Sequence, residues 1–312
     1  MAERIEKNGE VAEPSFPIID VTQWRILRLE EMGGKKKSWR ECPEDGSHWL
    51  YKEVGRTLGT RFGGPGGSVG EDWAEKIVAE LAALAGIPAA VVELATSDDN
   101  RGCISKSIVE AGEELVHGNE LLGARDPLYP RAGQFGPWYT VAAAAEALQE
   151  VEATVANQSD GGGLRSFARY LLLDAWVSNT DRHHQNWAVL RNKSGGVRMS
   201  PSFDHGSSLG FNLSDDERVQ RLQTKNRERT VAAFAQRGRS PFFDQKRQSL
   251  EEVARRAFQL AGASIESALE PLIGLGDQAG EVVSRIPRAV TSDVAGEFAI
   301  KLLAANVERL MQ

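Results

Sequence analysis

The segment Asn179-Thr-Asp-Arg-His-His-Gln-Asn186, together with Asp204, gathers the side chains of this sequence best suited to chemistry. Asp181 offers a carboxylate that can orient or deprotonate a hydroxyl nucleophile. Asn186, five residues on, offers an amide oxygen. The run between Asn186 and Asp204 reads as a hairpin, with short strands over 187–190 and 197–200 around an Asn-Lys-Ser-Gly-Gly turn at 192–196. A hairpin returns its ends to one another, so Asn186 and Asp204 are placed to converge on one hard cation. Magnesium takes oxygen ligands and often only one or two of them from protein. Phosphoryl transfer from ATP asks for little else: a metal on the phosphates, a cation beside them and a carboxylate at the nucleophile. The pattern therefore points to ATP and Mg2+ as the species handled here.

Other chemistries fit less well. His183, His184 and His205 stand near Asp181 and Asp204, yet no H-x3-H or C-x2-C spacing supports a zinc site. Ser166, Asp181 and His183 make a hydrolase triad only on paper, because no G-x-S-x-G elbow is present. The two cysteines, Cys42 and Cys103, are unpatterned and read as free thiols in a reducing compartment. A net charge of −7 argues against a grip on nucleic acid or anionic membrane across the whole surface. The exception is a basic stretch at 218–239 (Arg218, Arg221, Lys225, Arg227, Arg229, Arg237, Arg239), read either as a solvated face or as a docking surface for a polyanion. With 41% apolar and 26% charged residues, no apolar run near the ~20 residues that span a bilayer and no secretory leader pattern, the chain is expected to be cytoplasmic.

The elements that must hold these residues follow from periodicity. Strands are expected over 18–30, 49–54, 91–95 and 103–109, and a helix over 71–85, where Trp73, Ile77, Leu81 and Leu84 recur at helical steps. Helices follow over 141–156 and 164–177, then the hairpin. Beyond 228 the pattern is mostly helical, with a capping box at Ser249 and Glu252 and a last helix over 292–311. The Gly-rich run at 59–70 lacks dinucleotide-loop spacing and reads as a connector. Strands with one helix, then helices with one hairpin, imply an α+β protein: a disordered end at 1–17, a sheet-rich lobe over 18–118 and a helical lobe over 119–312.

The D-x4-N spacing of Asp181 and Asn186 is that of the protein-kinase catalytic loop. The whole segment resembles the catalytic loop of HipA-type serine/threonine kinases, and its Asp-Arg-His-x-x-Asn core is also similar to that of phosphoinositide kinases. Pro201-Ser-Phe-Asp-His-Gly-Ser-Ser-Leu209 resembles the metal-binding segment that follows it, and the likeness spans roughly 20–312. The resemblance implies a bilobal protein-kinase-like fold with a small sheet-rich N-lobe and a larger helical C-lobe, and transfer of the γ-phosphate to a protein serine or threonine. It implies Asp181 as base, and Asn186 and Asp204 as magnesium ligands. Lys52 would contact the α- and β-phosphates with Glu75 as its ion-pair partner, and the adenine hinge would lie near 106–108.

The turn Gly33-Gly-Lys-Lys-Lys-Ser-Trp39 falls where a phosphate-covering loop belongs, which nominates Gly34 and Lys37 as nucleotide contacts and Ser38 as an autophosphorylation site. His183 stands where protein kinases commonly place lysine, and either contacts the γ-phosphate or braces the loop. Read from the residues alone, Lys52 near a strand end also suits a solvated position, and periodicity does not choose Glu75 over Glu71 or Glu80. A lipid head group or small metabolite as acceptor, and a pseudokinase or adaptor without activity, are the alternative readings. An antitoxin-like partner is implied as well, although this chain has no room for HipA's extra N-terminal subdomain.

Overall fold

The computed structural model describes residues 15–30, 36–54, 69–130, 136–154 and 161–312. Its first part is a six-stranded sheet built from β1 (Ile18–Asp20), β2 (Arg25–Glu30), β3 (Lys37–Glu41), β4 (His48–Glu53), β5 (Val92–Ser97) and β6 (Asn100–Lys106). The strands run in the order β1-β5-β6-β4-β3-β2, with only the β1–β5 pair parallel. Helix α1 (Glu71–Leu84) packs on β5 and β6 and buries Trp73, Ile77 and Leu81, as the periodicity requires. Leu84, the last apolar step, is exposed.

The sheet departs from the sequence reading most in two places, and the strand expected over 103–109 runs three residues earlier, as Asn100–Lys106. The single strand expected over 18–30 is two strands, at opposite edges of the sheet. Asp20 Oδ1 accepts the Thr22 N–H at 2.9 Å, an Asx turn that ends β1 and releases the chain. The stretch read as a turn through Ser38 is in part a strand: Lys37 and Ser38 open β3, paired with Lys52 and Tyr51. Its inward positions are Ser38 and Arg40, so apolar alternation could not reveal it. Arg40 is satisfied there by Ser38 Oγ at 3.0 Å, Ser97 Oγ at 2.9 Å and the face of Tyr51. A buried serine that accepts a hydrogen bond from Arg40 is a poor phosphorylation site, and this corrects the reading of Ser38 as a loop hydroxyl. Gly34 and the glycine run at 59–68 lie outside the described residues. So do residues 1–14 of the expected frayed end, whereas Phe16 is buried.

The second part is mainly helical. β7 (Glu113–His117) joins β8 (Ala188–Asn192) and β9 (Val197–Met199), the expected hairpin, in a three-stranded sheet. Around it lie α2 (Gly118–Arg125), α3 (Val141–Ala147), α4 (Gly163–Val177), α5 (Asp215–Gln223) and α6 (Val231–Arg237). The chain then forms a hairpin, β10 (Arg239–Asp244) and β11 (Lys246–Ser249), which no apolar pattern had signalled. It closes with α7 (Leu250–Leu260), α8 (Ile265–Gly274), α9 (Gly276–Ser284) and α10 (Asp293–Leu310). The capping box of Ser249 and Glu252 starts α7 as read. The helix expected over 141–156 stops at Ala147, because the backbone of Glu152 pairs with Val197 and Met199 instead. α4, central to the core, buries nearly its whole length. No helix among the described residues is long and apolar enough to cross a membrane.

The sheet and the helical part are tied behind α1. The Phe16 N–H donates to the Arg285 carbonyl at 2.8 Å, and its ring meets both the Arg285 guanidinium and the Lys76 ammonium. Arg101 pairs with Asp72 of α1 at 2.7 Å and donates to the carbonyls of Val290 and Val69. Burial pushes the Asp72 carboxyl up to about 6, with Arg101 opposing the rise.

Candidate active site

Lys52 lies on β4 between Lys37 of β3 and Cys103 of β6, and its side chain is largely buried. It does not point to solvent. Its ammonium meets Glu75 Oε1 at 2.8 Å and Asp204 Oδ1 at 2.9 Å. The structure thus selects Glu75 from the three glutamates of α1, while Glu80 instead pairs with Lys76 at 2.6 Å. The other oxygen of Glu75 accepts the His205 N–H at 2.9 Å, which fastens the Asp204 segment to α1. A Cβ on Gly206 would stand 3.3 Å from both Glu71 and Glu75, so the glycine of Asp-His-Gly permits this close approach. Asp204 itself adopts a left-handed backbone (φ 59°), a conformation Asp tolerates better than most residues.

Electrostatics follow from this packing. Burial works against the charge on Lys52, but the carboxylates of Asp204 and Glu75 outweigh it and hold the ammonium well above its ordinary value. Burial would raise the Asp204 carboxyl too. Lys52, then Lys37, reverse the effect and hold it below the usual carboxylate range. Glu75, more deeply enclosed and facing Asp204, is raised.

The loop 178–186 is fixed from beneath. α4 ends with Ser178 in the left-handed region (φ 58°), and Asn179 turns back to donate to Asp174 Oδ1 at 2.8 Å. The Asn179 side-chain oxygen then accepts the Asp181 N–H at 3.1 Å. Arg182, wholly buried, grips Asp174 with Nε and Nη2, each at 2.8 Å. The rest of its fork donates to the Asn186 and Phe203 carbonyls and to Ser202 Oγ. One guanidinium therefore ties the loop of Asp181 to the segment of Asp204. Above it, the Tyr139 hydroxyl donates to the Arg182 carbonyl at 2.8 Å and receives the Trp187 indole N–H. Asn186 Nδ2 donates to the Asp181 carbonyl at 2.8 Å, which orients the amide and leaves its oxygen as the end able to ligate.

Lys37, Lys52, His183, Asn186 and Asp204 all line one cavity of about 850 Å3 between the sheet and the helical part. Its apolar wall includes Leu27, Trp39, Leu50, Ala90, Leu115 and Phe203, and residues 106–109 form its rim. Asp181 is half-buried on the same loop and does not line the cavity. His183 Nδ1 accepts the Gln185 N–H at 3.2 Å, so the neutral ring carries its proton on Nε2, and burial lowers its affinity for a second. Among the described residues no group of three His, Cys, Asp or Glu side chains could hold a metal. A carboxylate and an amide oxygen on one cavity instead suit a hard cation whose remaining ligands are phosphates and water.

Asp174, Arg182, Tyr139 and Ser202 were not singled out from the sequence. Asp174 left a signal, as the one charge in the apolar run 171–177. The basic stretch at 218–239 is in part structural. Arg218 is buried against Asp215, the Gly210 carbonyl and the face of Trp73, and Arg221 lies over Phe234.

Comparison with known proteins agrees with this geometry. No curated protein sequence matches the chain. The structure is similar to that of the Helicobacter pylori proinflammatory kinase CtkA (TM-score 0.69, 17% identity, 94% of this chain and 95% of that one). It is also similar to Shewanella oneidensis MR-1 HipA, solved with HipB and operator DNA (TM-score 0.55, 12% identity, 95% of this chain and 68% of that one). The bilobal fold is thus kinase-like. Residues 31–265 match the HipA-like C-terminal domain, and the chain belongs to that family of HipA-like kinases.

Proposed function

We propose that the chain is an ATP- and Mg2+-dependent phosphotransferase that phosphorylates a protein serine or threonine. The observation that carries this reading is the Lys52 ammonium, held between Glu75 and Asp204 on the cavity that Asn186 also lines. In it, Lys52 and Lys37 face the phosphates of ATP, and the apolar wall beside 106–109 takes the base. Asn186 and Asp204 would hold magnesium, which supplies charge neutralisation on the phosphates. Asp181 orients the acceptor hydroxyl and takes its proton as the oxygen bonds to the γ-phosphorus and ADP departs. His183, with its proton on Nε2, offers a neutral donor where a lysine is usual.

The test is transfer of label from γ-labelled ATP to protein, with Asp181→Asn as the variant. Loss of a positioned base typically costs ~10²–10⁴-fold in rate. The variant should still bind nucleotide, since Asp181 does not line the cavity. Undiminished transfer by Asp181→Asn would sink the mechanism. A protein partner of the antitoxin kind is proposed from the fold alone, because the Shewanella HipA was solved with HipB. Affinity purification of the tagged chain from its own host tests it.

A further inference from the structure

A second concavity, of about 390 Å3, lies between the β10–β11 hairpin, the start of α7 and the end of α10, and shares no lining residue with the first. Arg239, Lys246, Arg247 and Arg309 all line it. Two carboxylates line it as well: Glu251 is shared between Arg255 and Arg309, and Glu252 is held by the Ser249 N–H. Glu251 Oε1 accepts from Arg255 at 2.9 Å, and Glu252 closes the capping box on the Ser249 N–H at 2.7 Å. Among the described residues, no carboxylate stands within hydrogen-bond distance of any of the four cations. Arg239 and Arg247 donate, among the described residues, to main-chain carbonyls alone. Arg309, with 12% of its side chain exposed, donates Nη1 to the Ala235 carbonyl, while its Nε stands 3.8 Å from Glu251. Neither its Nε nor its Nη2 makes a hydrogen bond among the described residues. Burial lowers the Arg309 guanidinium; Glu251 opposes that effect and Arg239 adds to it.

Four cations against two acids leave a local excess of two positive charges on a chain whose net charge is −7. Unneutralised cations around one concavity repel one another, and a bound anion removes that repulsion. A dianion matches the excess, and arginine forks present paired donors to its oxygens. The two acids of the rim disfavour a long polyanion threaded across the site, as does the form of the site, a concavity rather than a stripe. We propose that this concavity binds a phosphate monoester, carried on a protein side chain or on a small molecule. The site stands apart from the cavity of Lys52 and does not rest on the phosphotransfer reading.

The experiment is fluorescence anisotropy of the full chain with a labelled phosphoserine peptide, and with the same peptide unphosphorylated. The variant is Lys246→Gln with Arg247→Gln, both exposed, with thermal unfolding to confirm the fold. The phosphopeptide should bind at least about tenfold tighter than its control, and the double variant should lose at least about tenfold. Displacement of the probe by free phosphoserine assigns recognition to the phosphate alone. No displacement, with the variant still weakened, assigns it to a phosphate borne on peptide. Equal binding of the two peptides, or an unchanged affinity in the double variant, overturns the proposal. So does displacement by a short RNA with a steep salt dependence.

Discussion

Replacing Asp174 with Asn should unseat the loop that carries Asp181, and the structure sets the scale. The Asp174 carboxylate receives three hydrogen bonds, two from Arg182 and one from the Asn179 side chain, each at 2.8 Å. An amide has one acceptor oxygen for those three donors, and its NH2 group meets a donor where a carboxylate oxygen stood. Arg182 is wholly buried, so its charge would remain without a counter-ion. Breaking a buried pair from one side typically costs about 3–5 kcal/mol, a large share of a total stability of about 5–15 kcal/mol. At ~1.5 °C per kcal/mol, from an unfolding entropy of about 2.1 cal/mol/K per residue, Tm should fall by about 5–8 °C. Scanning calorimetry reads the shift, and hydrogen exchange should show the amides of 179–186 losing protection. Asp174→Leu with Arg182→Met removes both charges and should recover part of the loss. It cannot recover all of it, because the carbonyls of Asn186 and Phe203 lose their donor. A Tm within about 2 °C of wild type for Asp174→Asn would refute the claim that this pair anchors the loop.

Three further outcomes are expected. Burial holds His184 down to about 4, and the Tyr129 hydroxyl meets its Nδ1 at 2.8 Å. The folded ring therefore binds its proton less readily than the unfolded one, and stability present above about pH 6.5 should fall as pH drops toward 4, by about 1–2 kcal/mol. Denaturant titrations across that range should show the slope, flattened in His184→Gln. Gly206→Val places atoms against Glu71 and Glu75 and should displace α1 at a cost of about 1–3 kcal/mol; an unchanged urea midpoint would count against the close approach. Lys52→Met leaves the Glu75 and Asp204 carboxylates facing each other without their cation, so the Asp204 carboxyl should rise. Under the proposed function, affinity for an ATP analogue should drop at least about tenfold by calorimetry, and equal affinity would remove Lys52 from the phosphate site.

Much of this was legible before any coordinates, for physical reasons. α1 and α4 show apolar residues at helical steps because one face or nearly all of each is buried. The Asn-Lys-Ser-Gly-Gly turn marked the hairpin between Asn186 and Asp204, and the convergence of those two residues on one cavity follows from it. What stayed hidden was held together by polar groups. β3 faces inward with Ser38 and Arg40, and Arg40 is at home only because Ser97 and Tyr51 arrive from other strands. α3 ends early because Val197, some fifty residues away, supplies a carbonyl to Glu152. The choice of Glu75 over its neighbours depended on where β4 places Lys52, a distance that helical periodicity does not contain.

The tie behind α1 bears on the order in which a ribosome can complete this protein. The six strands and α1 leave the exit tunnel first, yet Phe16 must wait for Arg285, and Arg101 for Val290, 189 residues later. At ~5–20 residues per second that is a delay of roughly 10–40 s. Throughout it, the guanidinium of Arg101 and the aromatic face of Phe16 lack their final partners. The sheet and α1 are thus among the last parts to be finished, and a message truncated before Val290 would release them without their tie to the helical part.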